Sequence, residues 1–303
     1  MGPFHGCSSR AGYRAYLEES RPTLDALAAR EATMSARGLP VHFAGRCSVC
    51  ERDTEFLVDD QFAFRRPDGD VAPNWRERQV CAHCGLNSRM RASLEFLREC
   101  SGATPDDLIY VTEQSTQLFR EVAARFPLTI GSEYLRDGTP PGRVSSANLR
   151  CEDVTRLSFP DCSFEYILTF DVLEHVPDYR RALEEFLRCL RPEGTLLVSV
   201  PFNLAEEETL VRARLTSDGS IEHLLPPEYH GDPLSPSGAL CFYHFGWSLL
   251  SELRETGWRQ AAVHLYASEA RGHLGGPHFL ISARRPPAFA GALFEDMIPD
   301  GGP

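Results

Sequence analysis

The chain of 303 residues contains no lysine: all 31 of its basic side chains are arginines. Without that amine it cannot form a lysine Schiff base, which excludes pyridoxal-phosphate chemistry of the usual kind and class I aldolase chemistry. It also lacks the lysine of a phosphate-cradling P-loop, and no G-x-x-x-x-G-K-[ST] run is present. No apolar run approaches the roughly 18 residues that a membrane span requires, and Met1 to Ser9 hold no signal-peptide core. A cytoplasmic location with no membrane partner is therefore expected. The arginines are outnumbered by 43 acidic residues, giving a formal net charge of -12. Such a balance disfavours nucleic acid as a partner and favours small molecules. Nothing in the pattern fixes an oligomeric state.

What is present suits a globular protein with one large domain and a smaller module: 42% hydrophobic and 24% charged residues. Residues 10 to about 37 have helical spacing, with Ser20 able to cap a helix at Pro22, Leu24, Leu27, Ala28 and Glu31 following, and Gly38 able to end it. Residues 1–40 read as a helical arm. From 41 to 84 the pattern changes to short alternating runs, Glu55-Phe56-Leu57-Val58 and Gln61-Phe62-Ala63-Phe64, with a turn at Pro67-Asp68-Gly69. A helix over 88–100 leads out of this module, which spans 41–103, and Thr104-Pro105-Asp106-Asp107 marks a boundary. Beyond it, strands are expected at 108–112, 128–131, 164–170, 194–201, 261–267 and 279–283, and helices at 115–125, 179–190 and 247–256. This alternation implies an α/β domain over 104–286 with a mostly parallel sheet covered on both faces. Residues 287–303 form a tail.

Four of the ten cysteines form two C-x-x-C pairs, Cys47/Cys50 and Cys81/Cys84, separated by 30 residues. Four thiolates at that spacing can close a tetrahedral Zn²⁺ site that leaves no position for substrate, and is therefore structural. Four unrelated buried thiols are the plainer alternative. A redox dithiol is a poorer fit, because its usual setting is one C-x-x-C beside a βαβ unit. His83 could replace one cysteine. Between Arg46 and Glu99 nine arginines oppose ten acidic residues, which is no footprint for a phosphate backbone. The expectation is a zinc-ribbon-like module, stapled by metal, that shapes one wall of the active site.

The most informative stretch is 157–202, LSFPDCSFEYILTFDVLEHVPDYRRALEEFLRCLRPEGTLLVSVPF. Its run 164–170 reads as a buried strand with Asp171 at the carboxyl end, outside which open α/β sheets bind ligands. The stretch resembles the second half of class I S-adenosylmethionine-dependent methyltransferases of the type 11-like group, where a strand ends in an acidic residue, LEH follows, and LRPEGTLLVSVP forms the next helix end and strand. The resemblance covers about residues 106–285. It implies a Rossmann-like doubly wound fold, S-adenosylmethionine as cofactor and transfer of a methyl group. Glu113 then falls at the end of the first strand, Glu133 20 residues later and Asp153 another 20 later. An acidic residue about 20 positions past the first turn is the expected ribose-hydroxyl acceptor, which gives Glu133, with Tyr134 beside it, that role. By the same resemblance Asp153, between Glu152 and Val154, accepts from the adenine amino group, and Asp171 with the backbone around Val172 and Leu173 faces the methionine end. One departure stands out. The glycine-rich loop expected after Glu113 reads Gln114-Ser115-Thr116-Gln117-Leu118-Phe119. Either Gln114, Ser115 and Thr116 bind the carboxylate and ribose along a different path, or the site binds the cofactor poorly.

The insertion 203–245 has the length of a substrate lid and gathers Glu222, His223, Glu228, Tyr229, His230, Asp232, Tyr243 and His244. His230, with Asp232 to orient it, is the first candidate for a base that removes an acceptor proton, followed by His244 and His223. His230 can equally be a turn residue. His175 is expected near the cofactor or at the start of the next helix, and His273 and His278, among Gly272, Gly275 and Gly276, in a turn. The leading function is methyl transfer to an oxygen or nitrogen of a small molecule, a secondary metabolite or sugar. The alternatives are an RNA or protein methyltransferase that grips its substrate through the zinc module, and a degenerate fold serving as a scaffold.

Overall fold

Which way each strand side chain points decides how this protein is layered. A computed structural model describes residues 3–65, 69 and 71–288. The turn expected at Pro67-Asp68 and, from residue 289 on, the expected tail lie outside the described residues. In chain order the elements that matter are strand β1 (His5–Cys7), helices α1 (Arg10–Glu19) and α2 (Arg21–Ser35), strands β2 (Val41–Cys47) and β3 (Arg52–Val58), the short helix α3 (Trp75–Arg78), strand β4 (Val80–Cys81), and helix α4 (Ser88–Glu95), continued by a π-helical turn (Phe96–Cys100). Next come strand β5 (Ile109–Val111), helix α5 (Gln117–Arg125), strands β6 (Thr129–Gly131) and β7 (Phe164–Phe170), helix α6 (Tyr179–Cys189) and strand β8 (Leu190–Ser199). The chain ends with an antiparallel pair, β9 (Tyr229–Asp232) and β10 (Ser235–Leu240), helix α7 (Ser248–Glu255), and the long strands β11 (Arg259–Ser268) and β12 (His273–Arg284).

Seven strands form the main sheet in the order β1-β11-β12-β8-β7-β5-β6. Strands β6, β5, β7 and β8 are mutually parallel, and β12 runs antiparallel between β8 and β11. The chain leaves β5 for β6 on one side and returns to β7 on the other, so the switch point lies between β5 and β7. This is a Rossmann-like doubly wound α/β fold, and its ligand crevice opens at the carboxyl ends of those two strands.

Alternation splits the core in two. Tyr110, Ile167, Leu196 and Val198 face a layer made by α6 and α7, where Leu183, Phe186 and Leu250 are buried. Ile109, Val111, Leu168 and Leu197 face the other way, against Phe56, Trp75, Leu94 and Phe96 of the cysteine module and its helix. The module is thus one of the two layers that cover the sheet. Side chain Gln79 completes the join by pairing like a strand: its Nε2 donates to Leu274 O at 2.6 Å and its Oε1 accepts from Leu274 N at 2.6 Å.

Several expectations are corrected. The N-terminal arm is two helices broken at Ser20, whose side chain makes no cap bond, and it begins with a strand on the sheet edge. His273, Gly275 and His278 lie in β12, not in a turn. Tight packing is the reason for the glycine at 275. A Cβ on Gly275, where φ is +97, would stand 2.1 Å from Trp75. Gly275→Ala is expected to lower stability by at least about 1 kcal/mol from the backbone alone, with more from the displaced Trp75. Gly276→Ala, whose Cβ would meet nothing nearer than 3.4 Å, serves as the control. Urea unfolding of both variants checks this, and equal midpoints would refute it.

Candidate active site

Two turns from the hairpin β2–β3 and from the end of β4 bring the four paired cysteines together. Their sulfurs all lie within 4.8 Å of one another, with Cys47 to Cys84 and Cys50 to Cys81 each at 3.9 Å. Four ligands around an ion with Zn–S bonds of about 2.3 Å stand about 3.8 Å apart, so the cage has the right size for zinc. Backbone N–H groups of Cys50 and His83 each donate to a cysteine sulfur at 3.4 Å, and the His83 ring is outside the cluster. Arg91, wholly buried, lies over the Phe56 ring, donates to Gly272 O and Gln79 O, and turns its charge toward Cys47, Cys81 and Cys84.

From this module α3 and α4 deliver Arg76 and Arg89 to the switch point. Asn87 caps α4 and also donates to Glu77 Oε2 at 2.8 Å. Asp171, the residue after β7, has φ +52 and receives Arg76 Nη2 at 3.0 Å, Arg89 Nε at 3.2 Å and the Ser199 hydroxyl at 3.0 Å. Burial alone would raise its pKa, but the two guanidinium groups hold it well below the usual carboxylate range. Glu113, past the end of β5, has no such partner. Its Oε1 is buried without a hydrogen bond, and burial pushes its pKa up to about 7 against the pull of Arg89.

The glycine-free loop folds down on Glu133. Oε1 of Glu133 accepts from Gln114 N at 2.8 Å, Ser115 N at 2.7 Å and Ser115 Oγ at 2.7 Å, while Oε2 has no partner among the described residues. Gln114 is tied further to Arg150 N and Asn148 O, and Thr116 caps α5. Room for this path comes from Gly131, where a Cβ would stand 2.5 Å from Phe119 and 2.7 Å from Glu113 O. Sequence placed the needed glycine in the loop, whereas the fold has it on the neighbouring strand.

Residues 131–198 match the family described as "Methyltransferase domain". That stretch of the chain is similar to methyltransferase domains. Over 135 residues it is 29% identical to a "Probable S-adenosylmethionine-dependent methyltransferase" of Mycobacterium tuberculosis H37Rv, covering 45% of each chain, so it spans about half the length of that relative. It is 23% identical to "27-O-demethylrifamycin SV methyltransferase" of Amycolatopsis mediterranei, over 57% of this chain and 81% of the other. Among solved structures it aligns with an S-adenosylmethionine-dependent methyltransferase from Mesorhizobium loti at TM-score 0.40 and 17% identity, over 65% of this chain and 100% of that one.

In the α/β part of the chain the other candidate residues are distributed as follows. Asp153 accepts from Thr155 N and Oγ1. Glu152 is buried and taken up by Arg150 and Ser158, Leu173 is in the core, Val154 packs against it, and Tyr134 is 63% exposed. Val172 precedes the 3₁₀ turn Leu173–His175. In the insertion, His230 Nε2 lies 3.0 Å from Glu228 and its Nδ1 3.5 Å from Glu174, whereas Asp232 accepts from Leu234 N. Asp232 therefore does not orient His230. The neighbouring Cys241, Glu174 and Glu228 side chains push the His230 pKa up to about 11, so it holds a proton that a base would have to give up first. His244 shares Glu228 at 3.0 Å, and His223 is on an exposed strand. Arg76 and Arg89 were not picked out from sequence, and Glu228 was given no role there. The module's near-zero charge sum hid the two arginines, though Trp75-Arg76-Glu77-Arg78 was a local signal.

The carboxyl of Glu113 supplies a pH test. Its folded pKa of about 7 is above the usual 4.5, so the folded chain holds the proton more tightly, and the associated stability is complete below 4.5 and lost as pH rises through 7. Glu113→Gln is expected to flatten the decline in unfolding free energy between pH 5 and about 7.5. An unchanged slope in urea titrations would contradict this.

Proposed function

We propose that the chain is an S-adenosylmethionine-dependent methyltransferase that acts on an oxygen or nitrogen of a small-molecule acceptor, of secondary-metabolite or sugar-like kind. The observation that carries this reading is the charge arrangement at the switch point. One half-buried carboxylate, Asp171, stands beside two guanidinium groups, Arg76 and Arg89, which is the complement of an amino-acid zwitterion. When bound, S-adenosylmethionine supplies a methyl group on a sulfonium, already activated for in-line displacement. The protein's task is then mostly to bind, to align and to exclude water.

Arg76 and Arg89 take the carboxylate of the methionine end and Asp171 its ammonium group. Glu133, held by the Gln114 and Ser115 backbone, offers Oε2 to the ribose, and Asp153 takes the adenine amino group. The unpartnered oxygens of Glu113 and Glu133 fit a ligand rich in donors. Where the acceptor must lose a proton, His244, oriented by Glu228, accepts it. Residues 104–286 form the catalytic domain, and Zn²⁺ on Cys47, Cys50, Cys81 and Cys84 staples the module at 41–103 that carries the two arginines. A small acceptor is preferred to a nucleic acid because five of the module's nine arginines are bonded inward or to carboxylates: Arg76 and Arg89 to Asp171, Arg78 to Asp59, Arg91 to backbone carbonyls, Arg98 to Glu51. The Amycolatopsis relative, named for a small-molecule acceptor, points the same way. No helix among the described residues is long and apolar enough to cross a membrane.

Calorimetry should show one S-adenosylhomocysteine bound per chain, with Asp171→Asn and Arg89→Ala each weakening it by about tenfold or more, roughly 1.4 kcal/mol. No binding to the folded wild type would refute the cofactor and favour a scaffold. Removal of zinc, by Cys47→Ser or a strong chelator, should release Arg76 and Arg89 and abolish S-adenosylhomocysteine binding together with the metal. Full binding by zinc-free protein, with zinc measured by mass spectrometry, would break that link.

A further inference from the structure

Three elements far apart in sequence meet beside the cleft with a set of donors that the methyl-transfer reading leaves unused. Glu174 and His175 belong to the turn that follows β7, and His230 comes from β9. The Glu174 side chain is completely buried, and neither carboxylate oxygen has a hydrogen-bond partner among the described residues. A bare buried carboxylate is costly unless a cation completes it. Both histidines present a nitrogen to it. His175 Nδ1 lies 2.8 Å from Leu240 O, an acceptor only, so Nδ1 carries the proton and Nε2, 3.7 Å from Glu174 Oε1, offers a lone pair. His230 Nε2 lies 3.0 Å from Glu228, which makes that nitrogen the donor and leaves Nδ1, 3.5 Å from the same Glu174 oxygen, free to ligate. The two rings stand at 82° with centroids 5.0 Å apart, and one donor atom from each of the three residues falls within 4.8 Å of the others.

We propose that Glu174, His175 and His230 form a site for a divalent transition-metal ion, distinct from the four-cysteine cage. Two imidazole nitrogens and one carboxylate on one side of an ion are the donor set of open sites that bind zinc, iron(II) and their neighbours while leaving positions for water or substrate. The outer partners are those such sites use. A backbone carbonyl holds the distal N–H of His175, and a carboxylate, Glu228, itself paired with Arg212 at 3.1 Å, holds that of His230. Glu174 lies three residues past Asp171, so the ion stands next to the crevice on the side of the insertion.

The site is tested by metal binding alone, independently of methyl transfer. Tag-free protein with its cysteine cage loaded with zinc is titrated with Co²⁺ and Mn²⁺ by calorimetry, with Co²⁺ absorption bands reporting nitrogen and oxygen ligation and mass spectrometry counting ions. The expected result is one further ion per chain. Glu174→Gln and His230→Ala should each remove it while the cage zinc stays, and Glu228→Gln should weaken it by about 10- to 100-fold. His223→Ala, on the exposed strand, should leave it in place. No further ion on the wild type overturns the site whether or not the variants fold, and so does retention of the ion by a folded Glu174→Gln or His230→Ala protein. Because cofactor is absent, failure here leaves the methyltransferase reading intact, and failure of that reading leaves this one intact.

Discussion

The contact on which the rest of the site depends is the ion cluster of Asp171 with Arg76 and Arg89. Desolvating these groups is expensive, and only close mutual pairing compensates. Glu77 receives both arginines as well, so the cluster is balanced as a whole and any member removed leaves an unpaired charge. Asp171 also sits at a positive φ that non-glycine residues adopt at a cost. That conformation turns its carboxylate back over the end of the sheet. The cluster therefore fixes the module on the sheet, sets the geometry of the crevice and holds the charges that a zwitterionic ligand needs.

The lack of lysine acquires a structural sense at this joint. Arg91 donates through both terminal nitrogens to carbonyls of two different segments while its flat face covers Phe56. An ammonium group has no planar fork and no comparable stacking face. Arg89 likewise engages Glu77 and Asp171 with one guanidinium. The joint between module and sheet is built from planar cations, which a lysine at these positions would not reproduce.

The parts of the fold that were legible in sequence share a local cause. Strands buried on both faces give continuous apolar runs, as at 164–170, and the cysteine spacing is set by two tight turns, so neither needs tertiary knowledge. The parts that were missed depend on distant neighbours. His273, Gly275 and His278 look like a turn until Trp75 is seen against Gly275. The partner of His230 is instructive. Residues two before and two after it in a strand share its face, so sequence cannot choose between Glu228 and Asp232. The register of β9 slips between His230 and Asp232, and that irregularity separates the second from the face of the first. Arg76 and Arg89 were lost in a sum, because a net charge averages over residues that point to different places.

The division of the sheet's two faces between different parts of the chain bears on how the protein is made. One whole side of the parallel strands is lined by residues that precede them in sequence, and the join is closed by β12: Gln79 bonds to Leu274 across 195 positions and Arg91 to Gly272 across 181. Contacts at such separation delay folding, because the loop between them must be closed before they reward it. The module is synthesised early but keeps an uncovered apolar side until almost the entire chain has emerged. Zinc in the four-cysteine cage, as proposed above, would therefore do more than stabilise a finished structure, since it would give the first-made segment a local shape to keep while the sheet it belongs to does not yet exist.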